Sequence, residues 1–264
     1  MNVTTISCRS ALSPSRLLGY DYALNPYRGC EHGCSYCYAP YVLHEDREWG
    51  GFVDVKLDIP SVLSKELGRR KKGVVGISTV TDPYQPIEKK YELTRTCLEH
   101  LLRHDFPICI QTKSALALRD LDLIKRFSKS EMGFTLTSID DEARKRYEPG
   151  AASVEERLST LEVFAQAGVD TWAFLGPIMP YISNKDDSLE YLIVALKKAR
   201  VKYLMVDRLN IKRGMQPRLL NLIKTEFPQL EERYQSLSTS YFEDVKRDIG
   251  RLCRKHELKV EFCY

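Results

Sequence analysis

The chain has 264 residues, of which 43% are hydrophobic and 29% charged, and its net charge at pH 7 is +4. This length and composition exclude a small disulfide-stapled domain and a disordered chain, and they allow a substantial core. The charge permits an anionic partner but falls short of the basic footprint typical of a dedicated nucleic-acid binder. Residues 1–6 contain no basic segment followed by an apolar run, so we expect no leader peptide, and no apolar stretch approaches membrane-spanning length. We therefore expect a cytoplasmic protein whose eight cysteines are reduced or hold metal.

The first quarter of the chain contains the densest cysteine pattern. Residues 1–24 are predicted to be a short lead-in that ends in a strand, and Asn25-Pro26 and Gly29 break regular structure after it. Cys30, Cys34 and Cys37 follow. Residues 41–58 are mixed and aromatic, which predicts an irregular excursion, and Pro60 begins a helix that runs to Leu67.

From residue 73 onward, β-branched runs alternate with segments of helical apolar spacing. The predicted strands are 73–79, 107–112, 133–139, 169–175 and 201–206, and the predicted helices between them are 87–102, 120–127, 154–167 and 189–199. With the strand before the cysteines this makes six, which favours an α/β fold with parallel strands. Six units are too few for a closed eight-stranded barrel, so we predict a partial (β/α)6 TIM-like barrel; a doubly wound open sheet is the alternative.

The C-terminal part, residues 215–256, is predicted to form three helices. They are expected to cover one end or the open side of the barrel. No repeat, low-complexity segment or clear linker divides the chain. We therefore predict a single domain over residues 1–264, with a core over about 20–210 and a C-terminal helical cap over about 211–264.

The spacing C-x-x-x-C-x-x-C brings three thiolates onto one short loop. Zinc sites usually have four ligands in two pairs, whereas a [4Fe–4S] cube takes one thiolate per iron. Three cysteines would leave one iron open, so Cys30, Cys34 and Cys37 are predicted to hold a cube. A zinc site with a distant fourth ligand and plain buried thiols are the alternatives.

Polar residues follow each predicted strand, and parallel barrels bind ligands at the carboxyl ends of their strands. Thr79 to Glu88 is rich in hydroxyl, carboxylate and amide groups, and Lys113 could pair with a carboxylate or a phosphate. Thr137 and Ser138 could bond a ribose or cap the next helix.

The remaining cysteines and histidines form no local motif. Cys97 and Cys109 fall on apolar positions and are predicted to be core residues. Cys8, Cys253 and Cys263 could hold an auxiliary cluster, but their spacing is wide. His32 lies inside the cysteine loop and is predicted to shape it rather than to bind metal.

The cysteine motif, with Tyr36 before its last cysteine, resembles the radical S-adenosylmethionine (SAM) signature. A longer set resembles the spore photoproduct lyase-like subgroup, often described as DNA repair photolyases. This set comprises Asn25 to Cys30, Cys34 to Ala39, Thr81 to Glu88, Leu93 to Arg95, Thr112 to Ser114, Arg119-Asp120, Glu148-Pro149, Arg157-Leu158, Ala167-Gly168 and Pro177 to Pro180. The resemblance covers about residues 20–235 and also implies a partial barrel.

The resemblance implies that Cys30, Cys34 and Cys37 bind a [4Fe–4S] cluster and that SAM caps the open iron. One electron, from a reductant such as flavodoxin or ferredoxin, would split SAM into methionine and a 5′-deoxyadenosyl radical, which takes hydrogen from a substrate. By the same resemblance Tyr36 contacts adenine, the Thr81-Asp82 region contacts the methionine amine, and Thr137 or Ser138 contacts the ribose. Arg157 is also assigned to the cofactor site.

The chain departs from the subgroup at one position. The resemblance leads one to expect a hydrogen-donating cysteine at the end of the second strand, but Gly76 to Thr81 contains none. We therefore predict a radical SAM enzyme, a lyase or another radical-transforming class, with an unidentified substrate. A DNA photoproduct repair lyase is one alternative, with nucleic acid as partner. A non-catalytic iron–sulfur or electron-transfer protein is the other.

Overall fold

The computed structural model describes residues 1–17, 19–210 and 216–264. The strands are β1 (Asn2–Ile6), β2 (Leu12–Pro14), β3 (Tyr22–Leu24), β4 (Tyr27–Arg28), β5 (Phe52–Lys56), β6 (Val75–Ile77), β7 (Ile108–Thr112), β8 (Ser130–Thr135), β9 (Asp170–Ile178), β10 (Tyr203–Arg208) and β11 (Lys259–Phe262). The helices are α1 (Ala39–Leu43), α2 (Ile59–Leu67), α3 (Glu88–Tyr91), α4 (Leu93–Arg103), α5 (Leu121–Ile124), α6 (Asp141–Tyr147), α7 (Val154–Gln166), α8 (Ser188–Lys198), α9 (Gln216–Glu226), α10 (Glu231–Gln235) and α11 (Thr239–Lys255). Short 3-10 turns cover Ala115–Asp120 and Pro228–Leu230.

One sheet organises the molecule. Its strand order is β2-β3-β6-β7-β8-β9-β10-β11, and every neighbouring pair is parallel except β2 with β3. Within the described residues the two outer strands, β2 and β11, do not pair with each other, so the sheet curves without closing. The predicted partial barrel of the α/β class is therefore confirmed.

The central strands read as apolar runs because they are covered on both faces. All three residues of β6 are buried, as are most residues of β7 and β9. On the outside, α4 buries one face with Leu93, Cys97, Leu98 and Leu101. Cys97 and Cys109 are both buried, as predicted.

The segment 41–58 corrects one sequence prediction. It is not irregular throughout, because Phe52–Lys56 forms β5, the middle strand of a small sheet with order β1-β5-β4. Four of the five residues of β5 are buried, including Asp54. A five-residue strand with a buried carboxylate lacks the alternation that identifies a half-buried strand, which explains why the sequence did not reveal it.

The C-terminal segment supplies more than helices. Its α11 packs against α8, and β11 adds a seventh parallel strand next to β10. The predicted helices are present in 216–255, whereas the start of the predicted cap at 211–215 lies outside the described residues. The division into core and cap remains a prediction.

A search of the helices in the described residues finds none with the length and apolarity needed to cross a bilayer.

Candidate functional site

The cysteine loop leaves β4 through a glycine that no other residue could replace without strain. Gly29 has φ of 88°, and a Cβ there would lie 2.4 Å from the carbonyl oxygen of Phe52. The loop then presents Cys30, Cys34 and Cys37, all free thiols, of which the first two are buried and the third is half-buried. It lies at the end of the sheet where β3, β6, β7 and β8 have their carboxyl ends.

The three thiols are electrostatic neighbours. Burial raises the pKa of Cys34 to about 12, and Cys37 contributes to this increase. Burial also raises the pKa of Cys30 well above its usual value, with further contributions from Asp82 and the other two thiols. Three neighbouring thiolates, two of them buried, need a cationic centre to be stable, so the set fits an iron cluster. Among the described residues, no three His, Cys, Asp or Glu side chains are grouped tightly enough to hold a single metal ion.

Asp82 braces the cysteine loop from the side of β6 and β7. Its carboxylate accepts hydrogen bonds from the hydroxyl of Thr112 at 2.6 Å and from the backbone N–H groups of Tyr84 and Lys113 at 2.9 Å each. The Nδ1 atom of buried His32 lies 3.4 Å from the same carboxylate. Burial alone would raise the pKa of Asp82, but His32, Thr112 and Lys113 outweigh it and lower the pKa to about 2. His32 thus lies where a loop-shaping role requires it.

Thr81 and Gln85 hold the beginning of the same loop. The Thr81 hydroxyl donates to the Gly29 carbonyl at 2.5 Å, and the Gln85 amide donates to the Thr81 oxygen at 3.0 Å. The Gln85 carbonyl in turn accepts from the backbone N–H of Glu31 at 2.9 Å. The polar run after β6 is therefore bonded to the loop that carries the cysteines.

Glu148 braces the loop from the opposite side. Its carboxylate is fully buried and accepts hydrogen bonds from the Tyr36 hydroxyl, from the Thr137 hydroxyl at 3.0 Å and from the Arg157 guanidinium at 2.6 Å. Burial by itself would raise the pKa of Glu148, but Arg157 and Lys113 outweigh it and lower the pKa. The other Arg157 nitrogens donate to the carbonyls of Thr135 and Ala152 at 2.8 and 2.9 Å.

The six predicted cofactor-binding residues thus lie on the two sides of the cysteine loop. Thr81 and Asp82 are on one side, and Tyr36, Thr137 and Arg157 meet at Glu148 on the other. Ser138 is next to them, and its hydroxyl accepts from the N–H of Asp140 at 3.0 Å, which caps α6. Their contacts with a cofactor remain predictions, as do the cysteines' roles as ligands.

Lys113 is a site residue that the sequence singled out only weakly. Its ammonium lies 5.8 Å from the centre of the Tyr36 ring, and among the described residues it has no carboxylate oxygen within 4.0 Å. Burial lowers the pKa of Lys113, but Cys34, Glu148 and Asp82 outweigh this effect and raise it. The barrel mouth, which is the end of the barrel that carries the cysteine loop, therefore contains a charged lysine that can bind an anion.

Another buried carboxylate, Glu88, connects several segments, and the sequence did not show this role. It accepts from the Tyr27 hydroxyl, from the Arg119 guanidinium at 2.6 Å and from the N–H of Thr94 at 3.1 Å. Arg119 also pairs with Asp120 at 2.8 Å. This network joins the loop after β6 to the loop after β7, and it explains why the motif residues 88, 94–95 and 119–120 occur together.

Arg218 connects α9 to the cysteine loop. Its Nη2 atom lies 3.4 Å from the carbonyl oxygen of Cys34 and 3.5 Å from that of Gly33. The sequence offered no signal for this contact, because Arg218 follows no strand and is about 180 residues away from the loop. The remaining thiols Cys8, Cys253 and Cys263 lie on different elements and are not part of this site.

The fold and the site together define a class of protein. It is an open parallel α/β barrel with three free cysteines on the loop that follows β4. A family model described as "Radical SAM superfamily" matches residues 24–192. The chain belongs to the Radical SAM superfamily. This family uses a [4Fe–4S] cluster and S-adenosylmethionine, as the cysteine motif implied.

The relatives extend over the whole chain. An uncharacterized protein of Methanocaldococcus jannaschii is 32% identical over 262 residues, which are 95% of this chain and 96% of that protein. The protein described as "Radical SAM Nalpha-GlyT isomerase" of Pseudomonas phage M6 is 24% identical and is matched over 85% of this chain but 47% of its own length. Among solved structures, spore photoproduct lyase complexed with dinucleoside spore photoproduct superimposes with a TM-score of 0.72 at 16% identity, covering 99% of this chain and 82% of that one. At this identity the likeness concerns the fold.

Proposed function

We propose that this chain is a radical SAM enzyme that starts its reaction by removing a hydrogen atom from a substrate not yet identified. The observation that carries the proposal is the arrangement of Cys30, Cys34 and Cys37 on one loop, which is bonded on both sides to polar residues at the barrel mouth. When bound, the cluster and SAM supply a 5′-deoxyadenosyl radical after one-electron reduction by a donor such as flavodoxin or ferredoxin. The chain's own residues bind the cofactors, orient the substrate and exclude water.

The structure supports a division of roles among those residues. The three cysteines bind the cluster, and the loop is held by the contact of His32 with Asp82 and by the hydrogen bond from Tyr36 to Glu148. Lys113 is charged and has no carboxylate partner among the described residues, so we propose that it pairs with the carboxylate of SAM. Tyr36 presents its ring close to Lys113, which supports its assignment to the adenine.

A photoproduct lyase is the alternative suggested by the subgroup. Such an enzyme would need a hydrogen donor in place of the cysteine that residues 76–81 lack. Cys109 lies 3.5 Å from the Tyr20 hydroxyl, and Cys97 lies on the buried face of α4. Neither thiol belongs to the cysteine loop or to the residues around Asp82 and Glu148 that hold it. This alternative therefore requires a hydrogen donor of another kind.

Anaerobic reconstitution tests the proposal. With SAM and dithionite the full chain is expected to form 5′-deoxyadenosine, measured by chromatography. A normal cluster without 5′-deoxyadenosine would contradict the enzyme and favour a non-catalytic electron-transfer protein.

The ligand assignment has its own variant and control. Cys34→Ala is expected to lose the cluster absorbance while retaining most of the fold, because one of three thiolates is gone. Cys263→Ala removes an exposed thiol outside the loop and is expected to retain the full iron content. A complete four-iron complement in Cys34→Ala would contradict the assignment of Cys34 as a cluster ligand.

A further inference from the structure

A groove of about 400 Å³ opens beside the candidate site and contains three cations, Arg146, Lys185 and Arg233. Its walls come from α6, from the segment after β9 and from the region that joins α9 to α10. β8 and β9 end just before the groove-lining residues Asp140 and Tyr181, so the groove lies at the same end of the barrel as the cysteine loop. None of its described residues belongs to the cysteine loop.

Both arginines are exposed to solvent, and each guanidinium lies against an aromatic ring. The Arg146 guanidinium lies 5.2 Å from the centre of the Phe227 ring, and its Nη1 donates to the carbonyl of Glu226 at 2.8 Å. The Arg233 guanidinium lies 5.0 Å from the centre of the Tyr181 ring. Stacking on rings orients a guanidinium and leaves its remaining N–H groups for a ligand.

The charge balance of the groove is positive. Arg146, Lys185 and Arg233 form no ion pair with a carboxylate among the described residues. The two acids in the lining are occupied elsewhere, because Asp140 caps α6 and Glu142 pairs with Lys145 at 2.7 Å. Three convergent cations suit an anion with several oxygens, and the guanidinium fork matches phosphate geometry.

The groove is coupled to the candidate site through one residue. Ser183, in the wall segment after β9, donates its hydroxyl to the carbonyl of Thr137 at 2.5 Å. The Thr137 hydroxyl bonds Glu148, which bonds Tyr36 in the cysteine loop. Ser183, Thr137 and Glu148 are all buried, so these hydrogen bonds fix the wall of the groove relative to Tyr36.

We propose that the groove lined by Arg146, Lys185 and Arg233 binds a phosphate ester of the substrate of this enzyme. This inference rests on the proposed function, because it makes the groove part of the substrate site. The phosphate can belong to a small phosphorylated molecule or to the backbone of a single-stranded polynucleotide. The chemistry that the groove recognises is the same in both cases.

Binding to the anaerobically reconstituted full chain tests the inference. The probes are inorganic phosphate, adenosine monophosphate and a short fluorescent single-stranded oligodeoxynucleotide, followed by calorimetry and fluorescence anisotropy. Arg146→Gln and Arg233→Gln are each expected to weaken binding by about tenfold, because hydrogen bonds to charged groups contribute more than neutral ones. Lys125→Gln removes an exposed lysine before β8 that is not part of the groove lining; it is the control and should change binding by less than about twofold.

The probes distinguish the two sources of phosphate. Equal binding of the nucleotide and the oligonucleotide indicates a small ester. Binding of the oligonucleotide alone, with a salt dependence that flattens in both arginine variants, indicates a polynucleotide backbone. Arg146→Lys keeps the charge but loses the guanidinium fork, so its affinity should lie between those of the wild type and Arg146→Gln, and thermal unfolding of each variant checks that it is folded.

The inference is overturned if none of the probes binds, or if Lys125→Gln weakens binding as much as the arginine variants do. If a probe binds but no 5′-deoxyadenosine forms, the phosphate site is supported and the proposed function is contradicted. If 5′-deoxyadenosine forms but no probe binds, the proposed function is supported and the phosphate site is contradicted.

Discussion

The carboxylate of Glu148 joins three parts of the chain that are far apart in sequence. Its partners are Tyr36, 112 residues earlier, Thr137, 11 residues earlier, and Arg157, nine residues later. Arg157 and Glu148 are both fully buried, and a buried ion pair depends on both members being present. A sequence pattern can identify Tyr36 from its place in the cysteine motif, but it cannot show that Tyr36 bonds a distant acid.

Glu148→Gln should reveal this dependence. Removing the negative charge leaves the Arg157 guanidinium buried without a counter-charge, so the free energy of unfolding should fall by about 3 kcal/mol. Urea denaturation of the apoprotein measures it. Glu142→Gln, which breaks an exposed pair with Lys145, is the control and should cost about 0–1 kcal/mol. Equal losses in the two variants would show that the buried pair adds nothing.

Residue types and spacing predicted where the site lies but not its contacts. Strand-end position selected Thr81, Asp82, Thr137 and Ser138, and the structure places them near the cysteine loop, while their contacts with a cofactor stay predictions. It did not show that the Thr81 hydroxyl and the Asp82 carboxylate are bonded to the loop and its neighbours. Lys113 was recognised as a possible anion partner, but as a single residue it had no pattern that separated it from a solvated lysine.

At the scale of elements, close backbone contacts fix where the cysteine loop lies. The turn before α7 packs against it, since a Cβ on Gly150 would lie 2.3 Å from the carbonyl oxygen of Glu31. The backbone N–H of Gly150 also donates to the carbonyl of His32 at 3.1 Å. Such an approach between loops that are distant in sequence is not visible in either loop alone.

Gly150→Ala is therefore expected to displace the cysteine loop. The methyl group meets a backbone oxygen that cannot rotate away, and overpacking of this kind costs about 1–3 kcal/mol. Iron content after reconstitution and thermal unfolding report the effect, and both should fall. Gly68→Ala at the end of α2 has φ of −67° and no atom within 4 Å of the new Cβ, so it should leave both unchanged. Normal iron content in Gly150→Ala would contradict the packing argument.

Helix α9 adds a positive charge to the loop through Arg218. A nearby guanidinium stabilises the reduced, more negative state of a cluster, so Arg218→Gln should shift the reduction potential to more negative values. A redox titration followed by electron paramagnetic resonance measures the shift. Lys224→Gln on the exposed face of α9 is the control, and Arg218→Lys should keep most of the wild-type potential. An unchanged potential in Arg218→Gln would exclude an electrostatic role for this helix.

At the scale of the whole molecule, the sequence predicted β6 to β10 from β-branched runs between helices, and β3 from its position before the cysteines. It missed the seventh, β11, whose four residues alternate between exposed and half-buried. It also predicted one helix over residues 87–102, where the chain breaks between α3 and α4 at Glu92, which has φ of 49°. Short elements and single-residue breaks carry too few positions for a period to be recognised.

The added strand leads to a prediction about the open edge of the barrel. Ending the chain before Lys259 removes β11 and leaves β10 with unpaired backbone groups on one side. Faster hydrogen exchange in Tyr203–Arg208 and greater aggregation are expected. Removing residues 1–6 instead deletes β1, which pairs only with β5 in the small sheet, and should leave exchange in β10 unchanged. Unaltered protection of β10 after the C-terminal deletion would show that β11 does not support the barrel.

The cysteine loop is joined to segments on both of its sides by hydrogen bonds between protein groups. Thr81 and Gln85 bond it on one side, and Tyr36 bonds Glu148 on the other. Many small metal-binding domains fold only when the metal binds, because nothing else brings their ligands together. We expect this loop to keep its fold without the metal, so that a cluster destroyed by oxygen can be rebuilt on the same chain.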